Sequence, residues 1–225
     1  MKKDAVVFAA YMPRIDRAFI YIDALKYYYS NCDVYIGLNS SVPEFETLLR
    51  NNGFNNITKV DPNIEVNSDA SAFQAALKTL KNTNVQYDKI HFLHTKGVSY
   101  QSDGQWKSSY ESYFLGYCKR MLEVQNGFNI EQIIGGVSYV GRKEPMNNSG
   151  YSTSLDKYCN FKTTNVENIM SLITFYSINH HIVKEFLHNC NDSFFTDKLD
   201  RYFFETSFPL IVDRFGYKRH HLVMW

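Results

Sequence analysis

Tyr87-Asp88-Lys89-Ile90-His91-Phe92-Leu93-His94-Thr95-Lys96-Gly97 is the stretch on which the fold turns. Its apolar run, Ile90-His91-Phe92-Leu93, has the content of a buried strand and ends on His94-Thr95-Lys96-Gly97. Side chains two apart on a strand share a face, so His94 and Lys96 are expected to project together at the strand's end. Ligands of open α/β sheets bind beyond the carboxyl ends of the strands. The same eleven residues therefore predict a sheet and the position of a site on it.

Upstream of this strand the pattern alternates. Strands are predicted over residues 4–10, 33–38 and 57–60, each an apolar or β-branched run. Met12-Pro13 breaks the first strand, and a helix over about residues 17–30 follows, with Ile22, Leu25, Tyr28 and Tyr29 near one face. Pro43 and Gly53 bracket a short helix containing Phe45, Leu48 and Leu49. Asp69 is the expected N-cap of a helix to about Lys81, in which Phe73, Ala76, Leu77 and Leu80 recur at helical spacing. Four strands separated by three crossovers imply an α/β fold, a mostly parallel central sheet with helices on both faces. The Gly-rich fingerprint of a dinucleotide-binding Rossmann unit is absent.

After Gly97 the character changes. Trp106, Tyr110, Tyr113, Phe114, Tyr117 and Met121 fall on one helical stripe, which reads as a core-facing side more readily than as a sugar-stacking platform. A strand is predicted over residues 133–140 and a long loop over residues 142–164. Two helices are expected, over residues 179–187 and about 197–215, before the basic tail Lys218-Arg219-His220-His221.

With 225 residues, 44% of them apolar and 16% aromatic, the chain has enough material for one sizeable core and reads as a single domain. Residues 1–97 form its expected nucleotide-binding half and residues 98–225 its acceptor-side half. A formal net charge of +1 excludes broad electrostatic capture of nucleic acid. The four cysteines, Cys32, Cys118, Cys159 and Cys190, are widely spaced without a C-x-x-C pair, and are expected as free buried thiols. No apolar stretch approaches the roughly 18 residues of a membrane span. The chain reads as soluble and cytoplasmic. The histidines give no metal signature: His180-His181 diverge on a helix, and His91 and His94 fall on opposite faces of a strand.

The quoted strand, extended through Val98-Ser99, resembles that of GT-A-type glycosyltransferases, particularly the bacterial and viral polysaccharide enzymes, rhamnan-synthesis-like proteins among them, that carry an H-T-K-G segment. In ordinary GT-A enzymes such a strand ends in D-x-D, which holds a divalent ion against the donor diphosphate; here His94-Thr95-Lys96 stands in its place. The resemblance implies that Lys96 replaces the ion, that His94 donates to a phosphate oxygen, and that Thr95 adds to the same contact. It also implies that Tyr11 and Asn39, at the ends of the first two strands, line the nucleotide cleft, that Asp69 and Ala70 approach the ribose, and that Arg219, His220 and His221 fold over the phosphates. Ordinary turn roles account for Tyr11 and Asn39 equally well, N-capping is the stronger single explanation for Asp69, and a frayed basic terminus accounts equally for the tail.

Sugar transfer with inversion needs a carboxylate to take the acceptor's proton. Glu205, amid Tyr202, Phe203 and Phe204, is the first candidate, with Asp200 and Asp197 as alternatives. The expected activity is glycosyl transfer from a UDP, GDP or dTDP sugar to a surface glycan, polysaccharide or lipid-linked glycan, with no required cofactor. Two alternatives stand beside it: a Mn- or Mg-dependent transferase, and a non-catalytic nucleotide-sugar or glycan-binding module of a larger synthase.

Overall fold

The computed structural model describes residues 3–66, 69–95, 114–116, 118–119, 137–139, 154–161, 175–217 and 220–222. Strands β1 (Lys3–Tyr11), β2 (Asp33–Asn39), β3 (Asn56–Lys59) and β4 (Tyr87–His94) pair in parallel, with Val6 opposite Val34 and Ala9 opposite both Gly37 and His94. Successive residues of β1 feed opposite cores, as strand alternation requires. Val6, Phe8 and Ala10 pack with Tyr21, Ile22 and Leu25 of α1 (Ala18–Tyr28) and with Phe45 and Leu49 of α2 (Pro43–Asn51). Ala5, Val7 and Ala9 pack with Phe73, Ala76, Leu77 and Leu80 of α3 (Ala70–Lys81). Helices thus cover both faces of the parallel strands. Pro43 starts α2 at its first turn, where a missing N–H costs nothing.

One irregularity aligns β4. Lys3 stands opposite Tyr87 but Ala5 opposite Ile90, so β4 carries one residue more than β1 over that step. This bulge lets Tyr87 and Ile90, three apart, enter the same core.

Beyond β4 the sheet changes direction. Its order is β3-β2-β1-β4-β6-β5-β7, with β5 at Val137–Tyr139, β6 at Tyr176–Asn179 and β7 at His220–Leu222. The β4–β6 and β6–β5 pairs are antiparallel, and β7 runs parallel to β5. Of the strand expected over 133–140, residues 137–139 are described and are strand β5, and the basic tail contributes strand β7. Helix α4 (His180–Asn189) matches the helix predicted from 179.

The helix expected over 197–215 is replaced by three separate turns, Phe203–Thr206, the 3₁₀ segment Phe208–Leu210, and Ile211–Arg214. Pro209 supplies no N–H to continue the first turn, and Phe203, Phe204, Phe208, Leu210, Ile211 and Val212 are all buried, which no single stripe of one helix provides. Of the aromatic stripe, Phe114 lies within the described residues: it is helical and fully buried, with its ring 4.9 Å from that of Tyr21. Among the described residues, no helix is long and apolar enough to cross a membrane.

Candidate functional site

Strand order places the crevice. β2 and β3 lie to one side of β1 and β4 to the other, so the winding reverses between β1 and β4, and ligands of open α/β sheets occupy the gap beyond the carboxyl ends at such a reversal. Tyr11 ends β1 and His94 ends β4. Thr95 joins them. Its backbone N–H donates to the Ala9 carbonyl at 3.1 Å, while its hydroxyl accepts from the Tyr11 N–H at 2.9 Å and donates to the Tyr11 carbonyl at 2.8 Å. The residue that precedes Lys96 is thereby fastened to the end of β1, with both polar groups of Tyr11's backbone satisfied by one hydroxyl. Lys96 itself lies outside the described residues.

His94 is buried on the α3 side, its ring 5.0 Å from Phe175 and 6.4 Å from Phe73. Its Nδ1 faces Asp69 Oδ2 at 3.4 Å. Asp69 holds the N-cap position of α3 but with helical backbone angles, and its side chain makes no capping bond. Asp69 is at the expected N-cap position, its carbonyl accepting from the Phe73 N–H at 2.9 Å, but its carboxylate turns to the histidine in place of capping the helix. The approach is electrostatic and not a hydrogen bond, since the buried Oδ2 has no hydrogen-bond partner, and a carboxylate this close to Nδ1 favours a proton on that nitrogen.

Asn39 is buried at the end of β2, and its amide nitrogen donates to the Val66 carbonyl at 3.1 Å and to Ser71 Oγ at 3.4 Å. It braces the start of α3 and the preceding loop, a role for which Ser71 was not read from the sequence. Ala70 is fully buried in the same turn, so its side chain presents nothing to a ribose. The helix start sits this close because of Gly37: a Cβ there would fall 1.7 Å from the Ala72 carbonyl oxygen. Ser40, next along, has φ +30, in the left-handed region, and Ser41 accepts from the Met12 N–H at 2.8 Å and donates to the Asn39 carbonyl at 2.9 Å. The loops after β1 and β2 are laced together by the Ser41 hydroxyl, which composition alone does not flag.

The three acids separate by environment. Asp197 pairs with Lys157 at 2.5 Å, and Asp200 is exposed and accepts the Tyr202 N–H at 2.8 Å. Glu205 is half-buried on the Phe203–Thr206 turn. The ring of its neighbour Phe204 lies tilted 4.8 Å from that of Phe73, the ring that also flanks His94. The turn and the histidine share one face of the sheet. Arg219 lies outside the described residues. The backbone of His220 and His221 belongs to β7, three strands from β4 and thus about 14 Å away across the sheet.

A second polar cluster lies on the opposite face. His91 Nδ1 is 2.5 Å from Ser177 Oγ and its Nε2 is 3.2 Å from Asp4 Oδ2, a Ser-His-Asp order of contacts. A nucleophilic serine has to meet substrate. Ser177 is 1% exposed and His91 0%, enclosed at the β4–β6 pairing, so the cluster braces the antiparallel strand and does not act on a ligand. As strand alternation predicts, His91 and His94 point to opposite faces, His91 toward Tyr29 and His94 toward Phe73.

Neither a protein-family model nor a curated protein matches this chain.

Proposed function

We propose that the protein is a GT-A-like glycosyltransferase that binds a nucleotide-sugar across the carboxyl ends of β1 and β4 and passes the sugar to a glycan acceptor. The observation that carries this reading is the His94–Asp69 pair, set beside the Tyr11–Thr95 clasp where the strand order reverses. The imidazole of His94 and the start of the twelve-residue helix α3 offer hydrogen-bond partners for a diphosphate, and Lys96, next in sequence after Thr95, would supply the positive charge. The acceptor hydroxyl attacks the anomeric carbon, the bond from that carbon to the phosphate oxygen breaks, and the hydroxyl proton passes to Glu205. Lys96 and His94 stabilise the negative charge that collects on the departing diphosphate.

A melting-temperature screen against UDP, GDP and dTDP sugars tests the reading. A donor at 100 times its Kd adds about 2.7 kcal/mol to the folded state. His94→Ala and Lys96→Ala should each abolish most of that gain, and Lys96→Ala should slow turnover by roughly 10²-fold. Stabilisation that survives both substitutions would place the donor elsewhere.

A further inference from the structure

Cys159 and Cys190 stand directly opposite each other in an antiparallel bridge between the segment at residues 154–161 and the C-cap of α4. The Asn191 N–H donates to the Tyr158 carbonyl at 2.9 Å, one residue outside the pair on each side. The cysteines therefore occupy a non-hydrogen-bonded position of the bridge, where Cα atoms lie about 4.5 Å apart and the side chains leave the same face. A disulfide spans Cα separations of roughly 4.4 to 6.8 Å. Both thiols are free and both enter the core beneath α4. Cys118 and Cys32 belong to the opposite face, with the core against α1 and α2, and compete for neither sulfur.

We propose that Cys159 and Cys190 form a reversible dithiol–disulfide pair, closed by exchange with a low-molecular-weight disulfide such as oxidised glutathione. Cys190 is the first nucleophile. It is 7% exposed against 3% for Cys159, and Lys81 partly offsets the burial that raises its thiol pKa. Burial pushes the Cys159 thiol up to about 11, and the nearness of Cys190 adds to that. The Cys190 thiolate attacks one sulfur of the small disulfide and expels the first small thiolate. The Cys159 thiolate then attacks the Cys190 sulfur, forming the Sγ–Sγ bond and expelling the second. Two electrons and two protons leave the protein, and the small disulfide becomes two small thiols.

Closure would staple a wall that already holds Lys157 on Asp197, and Tyr158 against the rings of Phe194 and Phe203. The proposal does not depend on the transferase reading.

The full chain is equilibrated with excess oxidised glutathione, both in buffer and in urea below its unfolding transition, so that burial alone does not keep the reagent out. It is then alkylated and digested without reduction. The expected result is loss of two of the four thiols, a single Cys159–Cys190 linked peptide reversed by dithiothreitol, and a melting temperature raised by about 5 °C or more. Cys159→Ser and Cys190→Ser should each remove the link and the shift, while a folded Cys32→Ser/Cys118→Ser double variant keeps both. Four free thiols in that double variant's parent after urea equilibration, a glutathione adduct on Cys190 that never resolves, or a link through Cys32 or Cys118 would overturn the proposal.

Discussion

Asp4 shows what a single carboxylate does at the closed end of this sheet. Burial pushes its pKa up, but the hydrogen bond and charge of His91, the Lys89 N–H that it accepts at 3.1 Å and the Lys89 charge outweigh that, and the net shift is downward from 3.8. A carboxyl group held below its unfolded value contributes stability that is fully present above the unfolded pKa and is lost as pH falls through the folded one. Asp4→Asn should therefore cost about 1 to 2 kcal/mol at pH 7, with the deficit shrinking below pH 4. Urea melts of both proteins at pH 7 and pH 3 check this, and an equal deficit at the two pH values would assign Asp4 a packing role only. At this scale much of the candidate site was legible. Strand alternation separates His91 from His94, and the carboxyl edge follows from the apolar run. The partner of His94 was not legible, because Asp69 is a good N-cap by residue type and only the fold brings it 3.4 Å from an imidazole 25 positions away in the chain.

At the level of elements, α3 connects sequence to site most directly. Its apolar spacing predicts a helix to Lys81, which the structure has, yet its depth against β2 depends on a glycine that reads in sequence as a weak strand residue. A methyl group at position 37 would lie 1.7 Å from the Ala72 carbonyl oxygen, backbone that cannot swing aside as a flexible side chain does. Gly37→Ala should cost about 3 kcal/mol and displace the start of α3. Unfolding in urea reads the first effect. The second should weaken donor stabilisation beyond what the lost stability accounts for, and a variant as stable as the wild type would show that α3 is not held by this contact. The failed expectation over 197–215 has the opposite origin: long apolar runs fit helix, strand or buried turn alike when every side is covered, and Pro209 decides against one helix only once its neighbours are placed.

Across the whole molecule the two halves of the sheet meet at β4, parallel on one side and antiparallel on the other, and Phe73 links them on one face. It touches His94 from the parallel half and Phe204 from the C-terminal turns, and the Tyr176 hydroxyl of β6 holds the Phe204 carbonyl at 3.1 Å. In the transferase reading the first half binds the donor and the second supplies the base, so their substitutions should separate in kinetics. Glu205→Gln keeps the size of the side chain and removes its ability to take a proton. Turnover should fall by roughly 10² to 10⁴ while donor Kd and melting temperature stay near wild type. Asp200→Asn should fall far less, since Asp200 is exposed and engaged with the Tyr202 N–H, and Asp197→Asn should show mainly as lost stability at the Lys157 contact. Donor affinity, melting temperature and turnover are measured on each variant. Normal turnover in folded Glu205→Gln removes that residue as the base, and a loss of donor binding in the same variant would move Glu205 to the nucleotide side of the cleft.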